Sequence, residues 1–243
     1  MDDAQRKLTP DQGRRRALSA IGGLFGLAAL AGCGSSRTKR ARAEWEDRAP
    51  VGSLTDRDDR PYRPQNPEPV WEGTAARGVI ARSAWAHEQP RPWLADPMGR
   101  ISRITIHHDG YDVFGSPHQT DAAERLELFR DRHIKLGWAD IGYHYAVDPA
   151  GRVYECRPVS LQGAHVKHNN EQNLGILVLG HHSLQAPTDE ALGALARFVR
   201  AKQTEYRVPA SRVYTHRELR PTECPGHNLQ RRFDEIRRRG MIA

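Results

Sequence analysis

Cysteine is scarce and odd in number: Cys33, Cys156 and Cys224 are the three in a chain of 243 residues. So sparse a set is a poor disulfide framework, and each thiol needs its own explanation. Apolar residues are also few, at 38%. That is low for a chain folded throughout and implies one packed core diluted by polar segments. No internal repeat is present, so repeat architectures are set aside. The apolar run Ala17–Gly32 is too short and too rich in Gly and Ala for a comfortable membrane span. The formal charge of +7 and pI near 9.6 favour an anionic polymer as partner. No basic-aromatic platform accompanies that charge, which argues against nucleic acid.

The first 33 residues read as a targeting segment and stand outside the fold argument. Arg14, Arg15 and Arg16 precede the apolar run, which ends Leu30-Ala31-Gly32-Cys33. This ending resembles a bacterial lipobox, with cleavage before Cys33 and lipid on its sulfur. An uncleaved anchor or an ordinary signal peptide is the alternative. The arginines also resemble a twin-arginine signal, although Ala17 stands where that signal typically has Phe. Residues 34–77 form a polar, Pro-rich stretch, extended and uncollapsed, that reads as a tether. The expected folded domain is 78–243.

Within it, strands and helices interleave. Arg103-Ile104-Thr105-Ile106 is a β-branched strand ending in His107 and His108. Residues 122–136 place Leu126, Phe129 and Ile134 among charges, an amphipathic helix closed by Gly137. Residues 143–147 and 153–155 read as a hairpin around Asp148-Pro149-Ala150-Gly151. Residues 174–179 are apolar without alternation, which predicts a central strand covered on both faces. Thr188-Asp189-Glu190 opens a long helix, Arg212-Val213-Tyr214 is a short strand running into His216, and a closing helix is expected over 233–239. The pattern predicts an α/β domain with a mixed central sheet flanked by helices.

His107 and His216 each follow a strand, so both are expected on one rim of the sheet. Cys224 comes eight residues after His216, a loop long enough to return a thiolate to the imidazole. Two imidazoles and one thiolate suit zinc, and three protein ligands leave a fourth position for water, the arrangement of a catalytic site. Each histidine taken singly is as compatible with a hydrogen-bonded core or surface position.

Four segments in order resemble the family of peptidoglycan-recognition proteins and type-2 N-acetylmuramoyl-L-alanine amidases. They are Ile104-Thr105-Ile106-His107-His108; Gly137-Trp138-Ala139-Asp140-Ile141-Gly142-Tyr143-His144-Tyr145; Gly163-Ala164-His165 with Asn170 and Leu174-Gly175-Ile176; and His216-Arg217-Glu218 through Thr222-Glu223-Cys224-Pro225-Gly226. Upstream, Ile80-Ala81-Arg82-Ser83-Ala84-Trp85 resembles the segment that begins the domain.

The resemblance implies one zinc ion held by His107, His216 and Cys224. It implies Tyr143 as the catalytic tyrosine and Thr222 as an oxyanion or substrate contact. One branch of the superfamily carries a carboxylate base where this chain has Leu177, so the chain follows the tyrosine and cysteine branch. His165 and Asn170 are expected to contact substrate. His144 is expected to orient neighbours, His181-His182 to form solvated loop, Cys156 to be a small buried thiol, and Trp138 and Tyr145 to be core. The implied activity is hydrolysis of the amide between the lactyl group of N-acetylmuramic acid and L-alanine, in peptidoglycan or muropeptides. The alternative is a non-catalytic peptidoglycan-binding module of the same fold. A monomer in the cell envelope is expected, lipid-anchored in the periplasm, and on the outer membrane if the source has two.

Overall fold

The computed structural model describes residues 78–242; the expected lipobox at Cys33 and the tether lie outside them. Six strands form one mixed sheet: β1 (Val79–Ile80), β2 (Arg103–His108), β3 (Tyr145–Val147), β4 (Val153–Glu155), β5 (Asn173–Val178) and β6 (Val213–Thr215). Their spatial order is β1-β4-β3-β5-β2-β6, with β3 and β4 antiparallel and the other pairs parallel. Among the described residues four α-helices accompany them: α1 (Gln119–Lys135), α2 (Asp189–Tyr206), α3 (His216–Leu219) and α4 (His227–Arg238). This is the mixed α/β architecture that the sequence predicts.

The continuous apolar run of β5 is central and wholly buried, as a strand covered on both faces must be. Beside it, β2 runs in register with Ile106 opposite Ile176 and His107 opposite Leu177. The two-residue period of strands then sorts side chains between two faces. Ile104, Ile106, Leu174, Ile176 and Val178 pack against Leu192, Leu195 and Val199 of α2 and Leu229 and Phe233 of α4. Each such fully buried side chain contributes roughly 1.5–3 kcal/mol. On the other face, Ala146, Tyr154 and Leu177 meet Leu126 and Phe129 of α1, together with Trp85 and Tyr143.

Local signals account for some of the element ends. The Thr188 side chain accepts from the Ala191 N–H at 3.1 Å, capping α2, which is worth about 1 kcal/mol. Gly137 follows α1 with φ of 83°, a conformation that a side chain would resist. Three boundaries differ from expectation by two residues or more. Helix α1 starts three residues early, at Gln119, where polar residues carry no apolar signal. Helix α4 begins at His227 rather than 233, because Leu229 opens the buried stripe that Phe233 and Ile236 continue. Strand β3 starts at Tyr145, although its ladder bonds extend outward: Cys156 N–H donates to His144 O and Arg157 N–H to Tyr143 O, each at 2.9 Å.

The pair His181-His182 is a correction. It is not solvated; the two residues are 6% and 1% exposed. The turn beyond Cys224 folds onto it: the Asn228 N–H donates to His182 O at 3.1 Å, and a side chain at Gly226 would collide with the 182–183 backbone. Hydrophobic patterning gave no hint of that packing, since the burial is imposed by a loop arriving from elsewhere.

Candidate metal centre

Three elements converge at the rim formed by the ends of β2 and β6. His107 is the fifth residue of β2, and parallel β6 ends at Thr215, so α3 begins with His216 beside it. The His107 and His216 ring centroids are 4.7 Å apart. A capping box holds that helix start: the Thr215 side chain is met by the backbone of Glu218, and the Thr215 N–H donates to Glu218 Oε2 at 2.6 Å. Glu218 is also paired with Arg237 at 2.6 Å, and these contacts lower its pKa against the opposing effect of burial.

The loop after α3 then returns Cys224. The donor atoms of His107, His216 and Cys224 all lie within 4.8 Å of one another, the one such group among the described residues. Cys224 Sγ stands 3.6 Å from His107 Nδ1. With zinc–nitrogen distances of about 2.0–2.1 Å and zinc–sulfur of about 2.3 Å, a tetrahedral ion separates such a pair by roughly 3.5 Å. The donor chemistry therefore suits zinc, and the Cys224–His107 pair has the spacing such an ion needs. Cys224 is 1% exposed, and its sulfur lies 3.4 Å from the His108 N–H, a donor suited to a thiolate.

Tyr143 is buried, with its ring centroid 5.1 Å from that of His107. Thr222 precedes the cysteine by two residues, and its Oγ1 accepts from the Cys224 N–H at 3.2 Å. That bond uses one lone pair and leaves the hydroxyl hydrogen for another acceptor. Leu177, in register with His107, belongs to the apolar cluster that includes Tyr143, so no carboxylate stands at that position.

His165 and Asn170 are both engaged internally. His165 Nδ1 is 3.0 Å from His107 Nε2 and its Nε2 is 3.0 Å from Asn173 O. Asn170 Oδ1 accepts from the N–H groups of His165 and Val166 at 2.8 and 2.7 Å, which shapes the loop. His144 orients neighbours as expected: it accepts from the Gly175 N–H at 2.9 Å and faces Leu161 O at 3.1 Å. Burial lowers the imidazole pKa values here, to about 4 for His165 and well below the usual value for His144. Both are neutral at pH 7. Cys156 is fully buried, and burial pushes its thiol pKa up, as fits an unreactive packing residue.

Sequence reasoning missed the supports of the Tyr143 segment. Arg157 donates to three carbonyls: Ile141 and Asp140 at 2.9 Å and Gln162 at 2.6 Å. Burial draws its pKa down to about 10, against the pull of Asp140, so it stays charged at neutral pH. Asp140 is fully buried between Arg82 at 2.9 Å and Arg130 at 3.2 Å. Removing one partner from such a group strands the others. Lone arginines scattered between residues 82 and 157 carry no sequence signal that they meet.

The family described as N-acetylmuramoyl-L-alanine amidase (Amidase_2) matches residues 97–227. Peptidoglycan-recognition protein SC2 of Drosophila melanogaster is 32% identical over 163 residues, covering 65% of this chain and 84% of that protein. Among solved structures, a Drosophila PGRP-LB variant in complex with tracheal cytotoxin aligns with a TM-score of 0.57 at 26% identity, covering 65% of this chain and 92% of that one. The N-acetylmuramoyl-L-alanine amidase LysC from Clostridium intestinale shares the fold, with a TM-score of 0.53 at 23% identity over 68% of this chain and 98% of that one.

Proposed function

The chain belongs to the N-acetylmuramoyl-L-alanine amidase (Amidase_2) family, and on that premise we propose that it is a zinc-dependent amidase cutting the bond between the lactyl group of N-acetylmuramic acid and L-alanine. The observation that carries the reading is the convergence of His107, His216 and Cys224, with donor atoms within 4.8 Å. These three residues would hold the ion. When bound there, zinc supplies Lewis acidity and lowers the pKa of water to around 7.

The remaining chemistry belongs to the chain. Attack of water on the lactyl carbonyl would develop negative charge on its oxygen, and Tyr143 and Thr222 would be the hydroxyl donors that meet it. Thr222 is oriented for this by its bond from the Cys224 N–H. Tyr143 sits among apolar neighbours, where a hydrogen bond to developing charge is stronger than in water. The carbon–nitrogen bond would then break, the water oxygen staying on the lactyl carboxylate and the amine of L-alanine leaving with a proton from that water. Tracheal cytotoxin, bound by the PGRP-LB neighbour, supports muropeptides as ligands alongside polymeric peptidoglycan.

Purified sacculi incubated with the protein and zinc should yield stem peptides with free N-terminal L-alanine, identified by mass spectrometry. Binding to sacculi without release of those ends would instead support a recognition module.

We further infer that the domain works on a tether. Lipid on Cys33 would anchor the chain in the envelope, with residues 34–77 as the spacer. A flexible spacer of about forty residues would span roughly 35 Å, which would concentrate the enzyme at an insoluble substrate. Cys33→Ser should release the protein from the membrane fraction; full retention would rule out the lipid anchor.

A further inference from the structure

The geometry points to His165 as a positioning residue that selects which nitrogen of His107 faces the metal. This rests on the zinc reading of the site. Asn173 O lies 3.0 Å from His165 Nε2, and a carbonyl only accepts, so Nε2 carries the hydrogen. A neutral imidazole then presents Nδ1 as acceptor. His107 Nε2 is 3.0 Å from that atom, so it carries the hydrogen of the second bond. That leaves the lone pair of His107 on Nδ1, the nitrogen that faces Cys224 Sγ at 3.6 Å. A protonation choice fixed by the first residue of β5 thus passes through one ring to a ligand atom on β2. Groups that donate or accept behind a ligand in this way orient it and tune its basicity.

The surroundings of the ring are built for it. A Cβ at Gly163 would lie 2.5 Å from His165 Cδ2, and one at Gly175 2.7 Å from the same atom. The slot therefore exists only because both flanking residues lack side chains. His165 N–H is fixed by Asn170 at 2.8 Å, which holds the backbone below the ring. His165 is buried, with 8% of the residue exposed, and both ring nitrogens already have protein partners. Asn170 and His165, expected as substrate contacts, act in this arrangement behind the candidate metal ligand His107.

The test uses full-length protein with zinc affinity measured by chelator competition, and it compares two replacements. His165→Phe keeps an aromatic ring and deletes both bonds. His165→Asn is smaller and packs worse, yet sets an amide oxygen where Nδ1 stands. We expect His165→Phe to weaken zinc binding by about 10–100-fold, with His165→Asn closer to the parent. A ring needed only for packing gives the reverse order, and that result would overturn the proposal. Nitrogen NMR of the histidine rings in the parent is the second measurement and stands even if a variant does not fold. It should show hydrogen on Nε2 of both His107 and His165 and a coupling across the His107–His165 bond. Hydrogen on Nδ1 of His107, or metal bound through Nε2, would also overturn it. A parent that binds no zinc defeats the metal reading, while the ring tautomers in that zinc-free protein still decide the relay.

Discussion

The two faces of the sheet are built to different rules. The face under α2 and α4 is sealed by aliphatic and aromatic side chains such as Ile176, Leu195 and Phe233, all fully buried. The opposite face begins the same way under α1, with Leu126, Phe129 and Leu177. Toward the rim it then turns polar, burying Thr105, His107, His144, His165 and Asn173. Those groups survive burial because almost every polar atom finds a partner: Thr105 Oγ1 donates to Asn173 Oδ1 at 2.9 Å, and Asn173 Nδ2 to Asn169 O at 2.7 Å. One face supplies stability through non-directional burial. The other holds directional contacts that fix atoms in place, and it gains less from apolar area.

This contrast yields four predictions, from the largest effect to the smallest. Cys224→Ala should reduce zinc content to background and abolish amidase activity while the helical fold, seen by circular dichroism, persists. Full zinc loading in that variant would remove Cys224 from the site. On the opposite face, Leu195→Ala should cost about 2–5 kcal/mol in denaturant unfolding, with zinc content and turnover of the folded fraction unchanged. A large change in turnover there would show that the faces are not separable.

Tyr143→Phe should retain zinc and slow turnover by a factor of about 100, the scale for losing one oxyanion donor. Unchanged turnover would take the hydroxyl out of the reaction. The smallest effect concerns pH. Burial, with Arg157 and Arg132 nearby, holds the His133 pKa down to about 3, against about 6.5 in an unfolded chain. Between those values the unfolded chain binds the extra proton. Stability is thus fully present above about pH 6.5 and falls as pH drops, by at most about 1.4 kcal/mol per unit for this group. His133→Asn keeps an acceptor for the Gly142 N–H, now 3.1 Å from Nδ1, and deletes the titration. Urea unfolding at several pH values should show a shallower acid slope for the variant; identical slopes would mean that His133 does not titrate in this way.

The site was more legible than its supports. Ligand types give a hint, since His107 and His216 end β-branched strands and Cys224 follows at loop distance, and the family resemblance turns that hint into a ligand set. The strand periods likewise place Leu174 and Ile176 in a central strand. Arg157 gives no such signal, because its three carbonyl partners come from residues separated along the chain and carry no side-chain identity. The buried His181-His182 turn was misread for a similar reason, as its cover arrives with the Cys224 loop.

The sequence by itself determined the element order, the apolar face under α2 and α4, the donor set and the resemblance that names its chemistry. These depend on residue type and spacing, which a linear string records. Only the tertiary structure decided which nitrogen of His107 faces Cys224, how His165 fits between Gly163 and Gly175, and what neutralises Asp140. Those are properties of distance and direction between residues far apart in the chain. A hydrogen bond depends steeply on both, whereas hydrophobic burial has no preferred direction.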